Sequence, residues 1–290
     1  MRLLDPKNDV VFKLLFAAPR HQTLLIAFLT DVLAPKVPIT SAQVLNPEIP
    51  RDFNLQKGVV LDVRIQLGNG RLVDVEMQAR RQRAFRERVL LYWARQFGAQ
   101  LEIGQKYREV LPCVGIYVLD FTDFEGHNFH HVFRVYDLQS GELFSDAFEM
   151  HFLELPKVPS EPRSNPLEQW CSFFRVRSEQ DLEALAMSSP TMKQASEALW
   201  WVSSDPNSRQ LAEMRELGEF NHRLQMNAER RLGHEQGLVE GLRHEVRTVA
   251  RVLKLDWSPA RQAYVEGLSA AELEQLIAEL VENKCWADDG

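Results

Sequence analysis

The 290-residue chain is 45% hydrophobic and 26% charged, with a formal net charge of −7 and three cysteines. Such a length buries one full core and leaves material for an appended region. No run approaches the roughly 20 apolar residues of a membrane span, the N-terminus lacks a secretory pattern, and Cys113, Cys171 and Cys285 are too widely spaced for a disulfide framework or zinc knuckle, so we expect a cytoplasmic protein with reduced thiols and no membrane partner.

In chain order, DPKNDVVFKLLFA spaces Val10, Val11, Leu14, Leu15 and Phe16 as a helix, with Asp5 or Asn8 as its cap. HQTLLIAFLTDVLAP repeats the helical spacing and stops before Pro35. SAQVLNPEIP is a short extended segment with a turn at Asn46-Pro47. Two alternating runs, GVVLDVRIQLG and RLVDVEMQA, flank Gly68-Asn69-Gly70 and predict a β-hairpin. Phe85, Val89, Tyr92, Trp93, Phe97 and Leu101 then recur at steps of three and four, which makes a long amphipathic helix. LPCVGIYVLDF reads as a buried strand, and two more strands are expected over residues 129–137 and 148–155.

Beyond about residue 166 the pattern is helical throughout, with Trp200-Trp201 as an expected core anchor. In the long segment 208–254, Gly233, Gly237 and Gly241 recur every fourth residue, each costing a helix about 1 kcal/mol relative to alanine. That stripe means either a weak connecting helix or close helix-to-helix approach. SAAELEQLIAELVENK places Leu273, Leu276, Ile277 and Leu280 on one face, a surface for dimerisation or docking. The expected organisation is a core over residues 1–160, a helical region over 161–257 and a short acidic helical tail over 258–290.

Charge is unevenly placed. Residues 79–108 carry eight cations, among them Arg80, Arg81, Arg83, Arg86, Arg88 and Arg95, against Glu87 and Glu102. Residues 258–290 carry seven carboxylates against Arg261 and Lys284. A local basic stripe can do electrostatic work that the overall balance hides.

The hairpin register follows from pattern. With a three-residue loop, Val63 faces Val75, Ile65 faces Val73, and Leu61 faces Met77; in the same register Asp62 faces Glu76. Directly opposed side chains share a sheet face with Cβ atoms about 5 Å apart, where like charges destabilise. A hard divalent cation, Mg2+ or Mn2+, suits two such carboxylates; charge gathered without purpose on a solvated face is the plain alternative. His130 and His131 are adjacent in a strand and point to opposite faces, so they do not share a metal. Neither a P-loop nor a serine nucleophile elbow is present.

The order of helix, strand with Asp62, hairpin, strand with Glu76-Met77-Gln78, long helix and buried strand resembles the PD-(D/E)XK nuclease superfamily. More closely, NDVVFKLLF, VLNPEI, LDVRIQL, VDVEMQ, FRERVLLYWARQF, GQKYREVLPCVGIYVLDF and FLELPK resemble the Rpn family of recombination-promoting nucleases and transposases, over about residues 5–157. The resemblance implies an α/β fold: a restriction-endonuclease-like mixed sheet flanked by helices, followed by an α-helical C-terminal region. It implies a metal-dependent DNA endonuclease of mobile-element, recombination or defence type acting on double-stranded DNA. Asp62, Glu76 and the Met77 carbonyl would hold the metal. Gln78, standing where the superfamily has lysine, would position the water. Lys13 or Arg80 would supply the missing cation, with Asp9, Arg88 and Tyr92 in support. Arg80, Arg81, Arg83, Arg86 and Arg95 would hold phosphates. The departure at Gln78 and the net acidity keep a second reading open, a non-catalytic DNA- or protein-binding module that acts through its helical tail, with the C-terminal helices offering a homodimer surface.

Overall fold

The computed structural model describes residues 2–46, 63–101, 104, 106–159 and 165–286. Strands β2 (Val63–Leu67) and β3 (Leu72–Gln78) pair antiparallel, with Val63 opposite Val75, Arg64 opposite Asp74 and Ile65 opposite Val73. This is the expected register, and alternation enforces it: a one-residue slip would turn Val73, Val75 and Met77 out of the apolar layer. Gly70 closes the loop at φ 86°, a region open to glycine, and its N–H donates to the Leu67 carbonyl at 2.8 Å. Leu61 and Asp62 lie outside the described residues.

β3 runs parallel to β4 (Cys113–Leu119), and β4 parallel to β6 (Leu143–Glu154). Parallel neighbours need a crossover, which between β3 and β4 contains α3 (Phe85–Gly98). β1 (Ala42–Val44) and β5 (His130–Tyr136) add antiparallel edges, so the mixed sheet has the order β1-β2-β3-β4-β6-β5. All seven residues of β4 are buried, as a strand covered on both faces requires.

One face carries the main core. Val73, Val75, Met77, Ile116 and Val118 pack there with α1 (Asp9–Phe16), α2 (Gln22–Leu33), α4 (Pro166–Phe174) and α6 (Pro190–Ser204). Asn8 caps α1, its Oδ1 accepting from the Val10 and Val11 N–H groups, whereas Asp5 bonds the Lys7 N–H instead. The opposite face holds a smaller layer in which Phe85 and Val89 of α3 meet Tyr117, Leu119, Met150 and Phe152. Helices flank both faces of a mixed sheet and a helical region follows, the restriction-endonuclease-like arrangement expected from the chain.

The remaining helices are α5 (Glu179–Ala186), α7 (Pro206–Val252), α8 (Pro259–Gly267) and α9 (Ala270–Asn283). The change to purely helical character near residue 160 is visible, yet compactness divides the chain elsewhere, into Met1–Gly218 and Glu219–Gly290. α4 and α6 pack on α1 and α2 within the first unit. Inside the second unit, Leu273, Leu276 and Leu280 of α9 are buried with Val246, Ala250, Val265 and Trp286. The apolar face of α9 is thus covered within its own unit, which corrects the reading of that face as an open dimer surface. One other expectation also changes. Trp201 is 44% exposed, stacked under the Arg20 guanidinium at 3.1 Å, and only Trp200 packs on the core. Gly233, Gly237 and Gly241 lie within the continuous helix α7, with no described atom of the chain within 4 Å of a Cβ built on any of them.

Candidate active site at the end of strand β3

Asp74, Glu76 and Gln78 alternate along β3 and share the face turned toward α3, opposite the face of Val73, Val75 and Met77. Sequence reasoning allows a solvated polar face here, but α3 covers it: Asp74, Glu76 and Gln78 are 8%, 2% and 4% exposed. A buried carboxylate is costly unless it is hydrogen-bonded. Gln78 Nε2 donates to Glu76 Oε2 at 2.9 Å, and Arg88 Nη2 donates to Gln78 Oε1 at 3.0 Å. Because a guanidinium only donates, it must face the amide oxygen, which turns the amide nitrogen toward Glu76. Arg88 on α3 therefore fixes the orientation of the glutamine that holds the carboxylate. Tyr92, one turn on, is 38% exposed with the Arg88 guanidinium 5.8 Å from its ring centroid, so it lines the surface beside Arg88 and is not a core residue.

Across the parallel pairing, Glu76 stands level with Tyr117 and Asp74 with Gly115. A Cβ at Gly115 would lie 2.6 Å from the Tyr117 ring, so glycine is what lets the ring lie there. Burial pushes the Tyr117 phenol pKa up, and the Glu76 and Asp74 carboxylates push it further, which keeps the hydroxyl protonated. Burial, with Asp74 adding to it, also pushes the Cys113 thiol up to about 11.

The N-terminal turn of α1 brings further groups. Lys13 is 3% exposed on a helix that packs against β3, and Asp9 lies one turn earlier. Both Asp9 oxygens accept from Arg215 of α7, Oδ1 from Nε at 2.9 Å and Oδ2 from Nη2 at 2.5 Å. Asp9, expected as a supporting carboxylate, is thus engaged by an arginine fork. Asn8 Nδ2 also donates to the Ala212 carbonyl, so α7 is fastened to this turn twice within the first unit. Lys7 pairs with Asp120 at 2.9 Å, and the Asp120 N–H donates to the Gln78 carbonyl, which ties the same turn to the end of β3.

The basic stripe divides in two. Arg80, Arg83 and Arg95 are exposed. Arg81 and Arg86 both pair with Asp123, at 3.0 and 2.7 Å, so their charge is partly balanced inside the protein. Asp123 is held in turn: Glu154, fully buried, accepts from the Asp123 and Phe124 N–H groups, from Lys157 and from His131. Burial alone would raise the Glu154 carboxyl pKa, but Lys157 and those two N–H groups hold it below its usual value. On the other sheet face, His130 contacts His151 at 2.9 Å, and Glu149 accepts from His151, Arg134 and Arg71. No local sequence signal marks this network, because its members come from three separate segments.

Asp62, the first carboxylate of the expected pair, lies outside the described residues. Among the described residues no group of three His, Cys, Asp or Glu side chains is placed to hold a metal ion. Of the described residues at the expected centre, the Glu76 carboxylate is a hard oxygen donor of the kind that binds Mg2+ or Mn2+ when further carboxylate, carbonyl and water oxygens complete the set, whereas both ends of the Gln78 amide are engaged by Glu76 and Arg88. Among the described residues no single helix is long and apolar enough to cross a membrane.

Residues 6–229 match the family model described as PD-(D/E)XK nuclease family transposase. The match spans well over half of the chain and takes in both the β3 site and Arg215. No curated protein and no solved structure matches. The chain belongs to the PD-(D/E)XK nuclease family transposases, a membership that supports a nuclease- or transposase-like function.

Proposed function

We propose that this PD-(D/E)XK family member hydrolyses phosphodiester bonds in double-stranded DNA with a divalent cation, Mg2+ or Mn2+, at the end of β3. The observation that carries the reading is the buried Glu76 carboxylate, held by Gln78, which is itself held by Arg88 of an arginine-rich helix. Unlike the buried Glu149 and Glu154, which bond directly to cationic side chains, Glu76 is held by a neutral amide, Gln78, on its own strand, at the position the family motif gives to a metal-binding carboxylate.

Glu76, the Met77 carbonyl and Asp62, which directly precedes β2 in sequence, are the groups we assign to the cation. When bound, such a cation lowers the pKa of a coordinated water and polarises the phosphate. The chain's own residues do the rest. Gln78, bonded to Glu76 Oε2, restricts the rotation of that carboxylate. α3 and the Tyr117 ring exclude water from the inner side of the carboxylate, where each charge then acts through a lower dielectric. Arg80, Arg83 and Arg95, exposed along and before α3, attract the phosphate backbone and position it without reading base sequence.

The test is cleavage of supercoiled plasmid by purified protein in Mg2+, Mn2+ or EDTA, beside Asp62→Ala and Glu76→Ala proteins with unchanged circular dichroism. Nicking that needs metal and disappears in both variants is expected. Cleavage that survives both substitutions, or no cleavage in any metal, would refute the reading and leave a DNA- or protein-binding module.

A further inference from the structure

We infer that Arg88 carries the positive charge that the lysine of an ExK motif would otherwise supply at position 78. The inference deepens the hydrolase reading and rests on it. In the hydrolysis, a water oxygen bonds to phosphorus as the bond to the leaving ester oxygen breaks; the water gives up a proton to solvent and the departing oxygen takes one up. Negative charge grows on the phosphate oxygens meanwhile, and a fixed cation next to them lowers the barrier. Glutamine cannot provide it, being neutral.

Three observations point to Arg88. Its Nη2 bonds Gln78 Oε1 at 3.0 Å, so its charge is separated from Glu76 by a single amide. Its Nε–H is buried without an acceptor among the described residues. A donor in that condition is desolvated without compensation, and a phosphate oxygen is an acceptor of matching chemistry. Finally, α3 is the helix that carries Arg95 on its exposed surface and follows directly on Arg80 and Arg83, so a backbone drawn to these arginines runs beside Arg88. A glutamine and an arginine from two elements would then do together what one lysine does alone: the amide orients, the guanidinium carries charge. The rival cation is Lys13, buried on the helix packed against β3.

The experiment is a cycle of Arg88→Gln and Gln78→Lys, with Lys13→Gln and Arg88→Lys as comparators. It is read as single-turnover plasmid cleavage in Mg2+, DNA affinity and thermal melting. Loss of one stabilising donor or charge typically lowers turnover by about 100-fold or more. Arg88→Gln should show a loss of that order with DNA affinity and melting temperature nearly unchanged, and Arg88→Lys should recover part of it. In the Gln78→Lys background the same Arg88→Gln change should cost less than about 10-fold, because the lysine now carries the charge. The Gln78→Lys, Arg88→Gln protein should also acquire an alkaline limb in its rate profile near the lysine pKa of roughly 10.4, which the native protein lacks because arginine stays charged.

An equal loss in both backgrounds, no loss on removing Arg88, a folded Gln78→Lys protein without activity, or a cycle in which Lys13 couples to position 78 and Arg88 does not, would each overturn the inference. A native protein that cleaves while indifferent to Arg88 sinks this inference alone. A native protein that never cleaves sinks the hydrolase reading as well.

Discussion

Glu149→Gln should destabilise the first compact unit by about 3 kcal/mol at neutral pH, and the loss should shrink in acid. Burial alone would raise the Glu149 carboxyl, yet His151 at 2.7 Å, Arg134 at 3.0 Å and Arg71 at 2.8 Å hold its pKa down to about 2 from 4.5. A carboxylate depressed in the folded state contributes stability above its unfolded pKa and loses it as pH falls through the folded one. With those two values, linkage gives about 3 kcal/mol at pH 7, about 1 at pH 3 and less than about 1 at pH 2. The assay is urea unfolding followed by tryptophan fluorescence in a background where Trp257 and Trp286, the two in the second unit, are replaced by phenylalanine, leaving Trp93, Trp170, Trp200 and Trp201 to report. The difference between native and Glu149→Gln proteins should fall by more than half between pH 7 and pH 3. A difference that stays constant over that range would show that the side chain acts by packing and neutral hydrogen bonds, and that the charge of the network adds nothing.

Other consequences can be checked independently. Arg215→Ala leaves the buried Asp9 carboxylate without its fork and should cost roughly 3 kcal/mol, in the range for breaking a buried pair, whereas Asp9→Asn with Arg215→Ala should cost less than the sum of the two changes; strict additivity in urea titrations would mean the pair is not coupled. Gly115→Ala should lower stability by about 1–3 kcal/mol through overpacking, and because a ring carbon is the nearest atom at 2.6 Å, Tyr117→Phe should not relieve it while Tyr117→Ala should. Arg83→Ala should flatten the slope of log affinity against log salt for duplex DNA by about 0.9, the value for one phosphate contact, with the same effect on unrelated sequences; an unchanged slope would remove Arg83 from the interface.

The parts of this molecule that could be read from its sequence are those where a local rule leaves one solution. Alternation plus a Gly-Asn-Gly loop admits one hairpin register, and Val63 to Val75, Arg64 to Asp74 and Ile65 to Val73 follow it. Glu76 and Gln78 were legible for the same reason, as alternate residues on one face. The pairings that give the site its electrostatics were not: Asp9 with Arg215 is 206 residues apart in sequence, and Arg86 with Asp123 is 37. Nothing in the local pattern of either partner names the other. Asp9 looks like an ordinary first-turn carboxylate, and Arg81 and Arg86 look like members of a free basic stripe, until the fold sets a counter-charge against each.

The same blindness explains the burial of β3. Period-two alternation assigns Asp74, Glu76 and Gln78 to a polar face, and a polar face by default faces water. What overrides the default is α3, whose Phe85 and Val89 pack on Tyr117 and Phe152 and so close the layer over the polar row. A single helix thus does two things: its apolar stripe removes the carboxylates from solvent, and its Arg88 fixes the Gln78 amide that bonds Glu76. Cover and orientation arriving on one element means that neither is present without the other. Substitutions at Val89 that loosen α3 should therefore impair Glu76 as surely as loss of Arg88 does, even though Val89 has no polar atom to offer the site.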